Sequence, residues 1–228
     1  MKIQNLNIRH AVLASALLFS SNALAIDYLI EVVLFETVAG RDQEAGGLYY
    51  PKAARSVNLN GDAAALAGFA IVDEGLTLTE NAASIAASSR YKLLRHIAWR
   101  QPGLDENAAL PVRISLGNTS TLYLPEDLGP YEEFIPASAT ATQDRTREIR
   151  TSTINGTIKV RLGRFLHMET LLVYTDAENQ QAFRLSQSRK MRSRELHYID
   201  NPRFGLLTRI LPLEDTLLNE AAPGTVTE

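Results

Sequence analysis

Residues 157 to 175, TIKVRLGRFLHMETLLVYT, alternate apolar and polar side chains more cleanly than any other stretch of the chain. Ile158, Val160, Leu162, Leu166, Met168, Leu172 and Tyr174 fall on one face, and Lys159, Arg161, Phe165, His167 and Glu169 on the other. A repeat of two residues is the repeat of a pleated strand, so this stretch demands a sheet with one buried and one solvated face. Arg164 is the one charge that interrupts the apolar side.

A second strand of a different kind lies near the start, Tyr28-Leu-Ile-Glu-Val-Val-Leu-Phe35. Its nearly continuous apolar, β-branched run reads as a central strand buried on both faces. Glu31 is its one charge, and an unpaired buried carboxylate costs several kcal/mol. Glu31 is therefore either half of a core ion pair, with Arg164 the favoured partner, or a catalytic acid.

Between these strands, residues 37 to 75 show turn signals and no sustained period, and read as a long surface excursion with one or two short helices. Tyr49-Tyr50 within it either stacks on a sugar or pins a loop. Thr77-Leu-Thr-Glu80 fits a capping box, and Leu78, Ala82, Ile85, Ala86 and Ser89 share a helical face, which predicts a helix from about Leu78 to Arg90. Tyr91 to Arg100 reads as a strand closed by Pro102-Gly103. Pro111 to Gly117 and Thr121 to Leu124 read as two strands joined at Gly117-Asn118. Residues 136 to 153 are rich in Ser, Thr and Ala and are expected to be mobile. Phe204 to Leu211 supplies a last apolar strand, and the tail beyond Leu218 has nothing to pack.

The stretch RLSQSRKMRSRELHYIDNP, Arg184 to Pro202, contrasts with the rest. Five residues between Arg184 and Arg194 are Arg or Lys and none is acidic. As a strand it puts Arg184, Lys190, Arg192 and Arg194 on one side and Phe183, Leu185 and Met191 on the other. The loop 176 to 180 then makes a hairpin with the alternating strand, which gathers bases of both strands on one surface. Such a row is either a binding face or a solvated face guarding a sheet edge.

The chain opens with Lys2 and Arg9, an apolar run AVLASALLF too short to span a bilayer, and Ala23-Leu-Ala25. These are the parts of a secretory signal peptide cut before Ile26. Removing Lys2 and Arg9 from the 23 bases leaves 21 against 26 acids, a net charge of −5. That balance excludes a uniformly cationic protein. No cysteine is present, so the exported chain is held by its core alone and carries no lipid on a cysteine.

Three blocks, LLRHIAWRQPG at 93 to 103, GRFLHMETLLVY at 163 to 174 and SRKMRSRELHYIDNPRFG at 188 to 205, together with the opening strand, resemble the CsiV family of periplasmic peptidoglycan-binding proteins. Asp200-Asn201-Pro202 stands where the family pattern leads one to look for Asp-His-Pro. The resemblance implies a non-enzymatic protein of the Gram-negative periplasm. It binds the cell wall and supports a class A penicillin-binding protein through that synthase's outer-membrane lipoprotein activator.

Resemblance and chemistry together make Trp99, Arg100, Gln101, Arg184, Lys190, Arg192, Arg194, His197 and Tyr198 candidate ligand-binding residues, joined by Arg161, Phe165 and His167 of the facing strand. Arginine meets the carboxylates of stem peptides with a two-pronged fork, and aromatic rings pack on sugars. Trp99 is open to two readings, core or platform.

His96, His167 and His197 lack the spacing of a zinc hydrolase, and no metal or cofactor is called for. No nucleophile motif is present. Carboxylates such as Glu169 and Glu195 keep a wall hydrolase as the alternative, and a protein-only adaptor as the third reading. Export and net acidity argue against nucleic acid.

The fold expected is a single α+β domain over 26 to 218. It is built on a mostly antiparallel sheet with one main helix packed on a face and long irregular excursions.

Overall fold

The computed structural model describes residues 26–38, 46–49, 55–126, 134–136 and 146–213. The expected signal peptide, parts of both excursions and the tail lie outside these residues, as does the Tyr49–Tyr50 pair of side chains.

The chain is nearly all β. In order it forms β1 (Asp27–Thr37), β2 (Gly47–Tyr49), α1 (Asp62–Leu66), β3 (Ala70–Ile71), α2 (Thr79–Ala86), β4 (Tyr91–Pro102), β5 (Val112–Pro125), β6 (Phe134–Pro136), β7 (Thr146–Leu162), β8 (Leu166–Asp176), β9 (Gln181–Met191), β10 (His197–Asn201) and β11 (Phe204–Pro212). Every strand pairing is antiparallel, and one parallel bridge, Val57 to Val112, stands outside the strands. One sheet runs β10-β11-β1-β4-β3 and the other β5-β7-β8-β9-β2-β6.

Tyr28, Ile30, Val32 and Leu34 of β1 join Ile158, Val160, Met168, Leu172 and Leu185 of the second sheet in one buried cluster. The two sheets thus pack face to face, and each fully buried aliphatic contributes about 1.5–3 kcal/mol. The alternate residues of β1, Val33 and Phe35, turn outward and are covered by Leu78, Ala82 and Ile85 at α2. The opening strand is buried on both faces, as its composition predicted.

The α+β expectation is overturned. The helices are five and eight residues long, and the core is covered by a second sheet rather than by a main helix. Strands grow where the sequence looked irregular. Residues 146 to 153 begin the 17-residue β7, because Ile149 pairs with Leu122 and brings a polar stretch into the ladder. The two strands read at 111 to 124 are one, β5, bent where its register shifts between Leu116 and Thr119 beside Gly117, whose φ of 82° suits a residue without a Cβ. The alternating stretch of 157 to 175 folds back at residues 163–165 into the β7–β8 hairpin.

Candidate functional site

Glu31 shows first what is not a reactive site. Its side chain is fully buried, and Arg164 does not meet it. The carboxylate instead accepts hydrogen bonds from the Thr77 N–H (2.9 Å), the Thr77 hydroxyl (2.8 Å) and the Leu78 N–H (2.8 Å) at the start of α2, and lies 2.7 Å from His96 Nε2. Burial raises its pKa, but these hydrogen bonds outweigh burial and hold it below the ordinary carboxylate range. The capping box is replaced by this arrangement. Leu78 is the N-cap with no side-chain cap, and Thr77 spends its hydroxyl on Glu31. A strand residue thus anchors the helix that covers it.

Trp99 and Gln101 are core residues. Trp99 is fully buried and its indole N–H donates to Gln101 Oε1 (2.9 Å). The Gln101 amide donates in turn to the Val160 carbonyl of the opposite sheet (3.1 Å). Neither can meet a ligand. Arg100 is exposed on the far side of the same strand, 3.7 Å from Asp27.

The basic ribbon is not one strand. β9 ends at Met191, residues 192–196 cross from one sheet to the other, and His197 begins β10 in the β1 sheet. Arg194 takes a left-handed φ of 69° there and its N–H donates to the Ile210 carbonyl of β11 (2.8 Å). This corner breaks the two-residue period, so Arg192 and Arg194 do not continue the row of Arg184 and Lys190. Arg192 lies 3.4 Å from Glu195, and its N–H donates to His197 Nε2. Tyr198 sits in the other sheet, stacked on Phe35 with ring centroids 5.9 Å apart. Burial, then Asp200, push its hydroxyl pKa up to about 12.

A smaller group does converge. Ladder pairings set Arg161 opposite His167 and His167 opposite Lys190, forming one row across the outer face of β7, β8 and β9. Phe165, 42% exposed at the hairpin tip, closes the row. Lys190 Nζ lies 3.1 Å from its ring centroid and the Arg164 guanidinium 5.5 Å away, a cation–π cluster on open surface. His167 Nδ1 lies 3.1 Å from the Phe165 carbonyl oxygen. Arg161 is held by Glu169 (2.8 Å) and Glu106 (3.5 Å), and the Glu169 bond raises its pKa further. The next row, Lys159, Glu169 and Ser188, floors a shallow groove of about 440 Å³ that also touches Ser186. Arg184 shares this face but lies six residues from Lys190, about 20 Å along the strand.

Sequence reasoning missed a buried polar cluster at the far end of the sandwich. Arg203 is 2.8 Å from Asp176, with its guanidinium 4.5 Å from the Phe183 ring. Burial, then Glu36, which accepts a hydrogen bond from the phenol, push the Tyr174 pKa up to about 12. Arg203 stood in a recognised block, but nothing in its neighbours marked it as buried.

Among the described residues no group of three His, Cys, Asp or Glu side chains could hold a metal ion. No helix among them is long and apolar enough to cross a membrane.

A family model described as "Peptidoglycan-binding protein, CsiV" matches residues 9–213. No curated protein and no solved structure matches the chain.

Proposed function

This chain belongs to the CsiV family of peptidoglycan-binding proteins, and from that premise we propose that it binds the wall in the periplasm through the outer face of the β7–β8–β9 ladder. The observation that carries the reading is the exposed Phe165 with Lys190 and Arg164 against its ring, beside a polar groove. The cations attract stem-peptide carboxylates, while the ring edge and the hydroxyls of Ser186 and Ser188 suit a sugar. The protein acts without catalysis. It supports a class A penicillin-binding protein through an outer-membrane lipoprotein activator, and it reaches the periplasm by a signal peptide cut before Ile26.

Incubation with isolated sacculi separates this reading from a hydrolase. The protein pellets with the sacculi and releases no soluble fragments, and Phe165→Ala with Lys190→Glu lowers its affinity for them about tenfold. Clarification of the suspension would establish a hydrolase instead, and an affinity unchanged by the double substitution would move the site elsewhere. A protein-only adaptor would bind the activator and leave sacculi in suspension untouched.

A further inference from the structure

The sandwich is closed along one side and open along the other. On the closed side three side chains lace the sheets through backbone carbonyls: Gln187 donates to Asp200, Arg189 to Tyr198, and Asn201 to Arg184. On the open side β4 faces β5, and among the described residues no backbone hydrogen bond joins them.

Two cavities follow this seam and share Leu116. One, of about 490 Å³, is lined by β4 residues 95–98 and β5 residues 113–116. The other, of about 710 Å³, is lined by β4 residues 92–94 and β5 residues 116–118, and reaches the buried polar cluster. Arg95 marks the opening. It pairs with Leu34 on the core-facing row of β1, yet it is exposed. A guanidinium on the inward row is tolerable only where water enters between the sheets.

The seam is polarised. Its first half carries Arg95 and Arg113 against Asp73, and its second half carries Glu36, Asp176 and Glu178 against Lys92 and Arg203. Ile97 and Ile114 line the first half, and Leu116 lines both. β3 uses the outward backbone of β4 only as far as Ala98, whose carbonyl accepts the Val72 N–H. By strand alternation His96 turns its own N–H and C=O to the same edge, where an extended chain can pair with them.

We infer that this seam is the subsite for the stem peptide of peptidoglycan, with a carboxylate at Arg95 and Arg113 and the side-chain ammonium of a diamino acid at Asp176 and Glu178. The inference rests on the wall-binding reading and adds to it a partner for the one cationic group of the stem, which the Phe165 surface repels. Residues 92 to 98 of β4 span about 20 Å, and an extended tetrapeptide needs about 14 Å, so the length fits. The apolar lining of Ile97, Ile114 and Leu116 takes the methyl groups of alanine.

The test is a titration of the full-length mature chain with a soluble synthetic stem tetrapeptide carrying a free diamino-acid ammonium. It is followed by amide chemical shifts and calorimetry, with sacculus pelleting run in parallel. Shifts are expected at residues 92–97 and 113–118. Arg95→Glu with Arg113→Glu, both exposed positions, is expected to weaken binding about tenfold or more, as two lost carboxylate contacts and added repulsion imply. Glu178→Lys, or acetylation of the ammonium, is expected to weaken it severalfold.

Four results overturn the inference: shifts confined to the Phe165 surface; affinity indifferent to these changes; equal affinity for an ordinary L-peptide of the same charge order; or no peptide binding while sacculi still pellet. In the last case the wall-binding reading stands. Sacculi left in suspension by the unmodified protein would remove both.

Discussion

The two outer faces of the sandwich are built from similar strands and put to different uses. On the β1 sheet, outward Val33 and Phe35 lie under α2, and the outward charge Glu31 is buried and fully hydrogen-bonded. On the β8 sheet, among the described residues, no helix packs over outward Arg161, His167 and Lys190, and Phe165 stands exposed beside them. One face spends its charge on holding a helix, and the other leaves its charge where a ligand can reach it. A charged strand residue is therefore a site candidate only when nothing packs over its face.

Changes made between, behind and upon these faces should separate in kind. Trp99→Ala, in the shared interior, is expected to cost about 3–5 kcal/mol, read as a lower urea midpoint. Trp99 is the only tryptophan, so the intact protein should show blue-shifted emission that added sacculi leave unchanged. A wall-dependent shift in that emission would mean the ring is not core.

Glu31→Ala strips the partners from the Leu78 N–H, the Thr77 N–H and hydroxyl, and His96. It is expected to cost about 3 kcal/mol and to lower the melting temperature by about 6–12 °C. Sacculus binding well below that temperature should not change. If binding falls with it, the covered face is part of the site.

Phe165→Ala and Lys190→Glu should do the reverse. Stability stays within about 0.5 kcal/mol, as for other surface changes, while sacculus affinity drops about tenfold for the pair, or about 1.4 kcal/mol.

The smallest effect is on pH dependence. The folded-state pKa of Glu31 lies below its unfolded value of 4.5. Its contribution is therefore complete above that pH and is lost as pH falls towards and through the folded value. Glu31→Gln should flatten the acid limb of the stability curve below about pH 4.5, and an unaltered limb would show that the carboxylate is not held ionised.

Much of this fold is legible in the sequence, and the departures from it have identifiable causes. The β1 burial, the β4 strand and the β8–β9 hairpin follow from apolar runs and alternation, which local chemistry carries. The second sheet is underestimated from sequence because β7 begins in a polar stretch, read as mobile, that pairs only through its partner β5, a long-range cause that no local period reports.

The Glu31–Arg164 pairing failed for a similar reason. A buried carboxylate needs donors, but the donors were backbone N–H groups of a later helix, which a search for opposite charges overlooks. The basic row was half right. Lys190 joins Arg161, Phe165 and His167, and Arg184 keeps their face farther along β9, whereas the turn at Ser193-Arg194 carries Arg192 and Arg194 round a corner that alternation cannot foresee.

Cosedimentation with purified sacculi in low and in strong salt, using the unmodified chain and the Arg164→Glu, Lys190→Glu variant, tests the open face most directly. The unmodified protein should pellet in low salt and be released in strong salt as its charges are screened, and the variant should stay in solution throughout. Pelleting that ignores both the salt and the charge reversal would contradict the assignment of wall binding to this face.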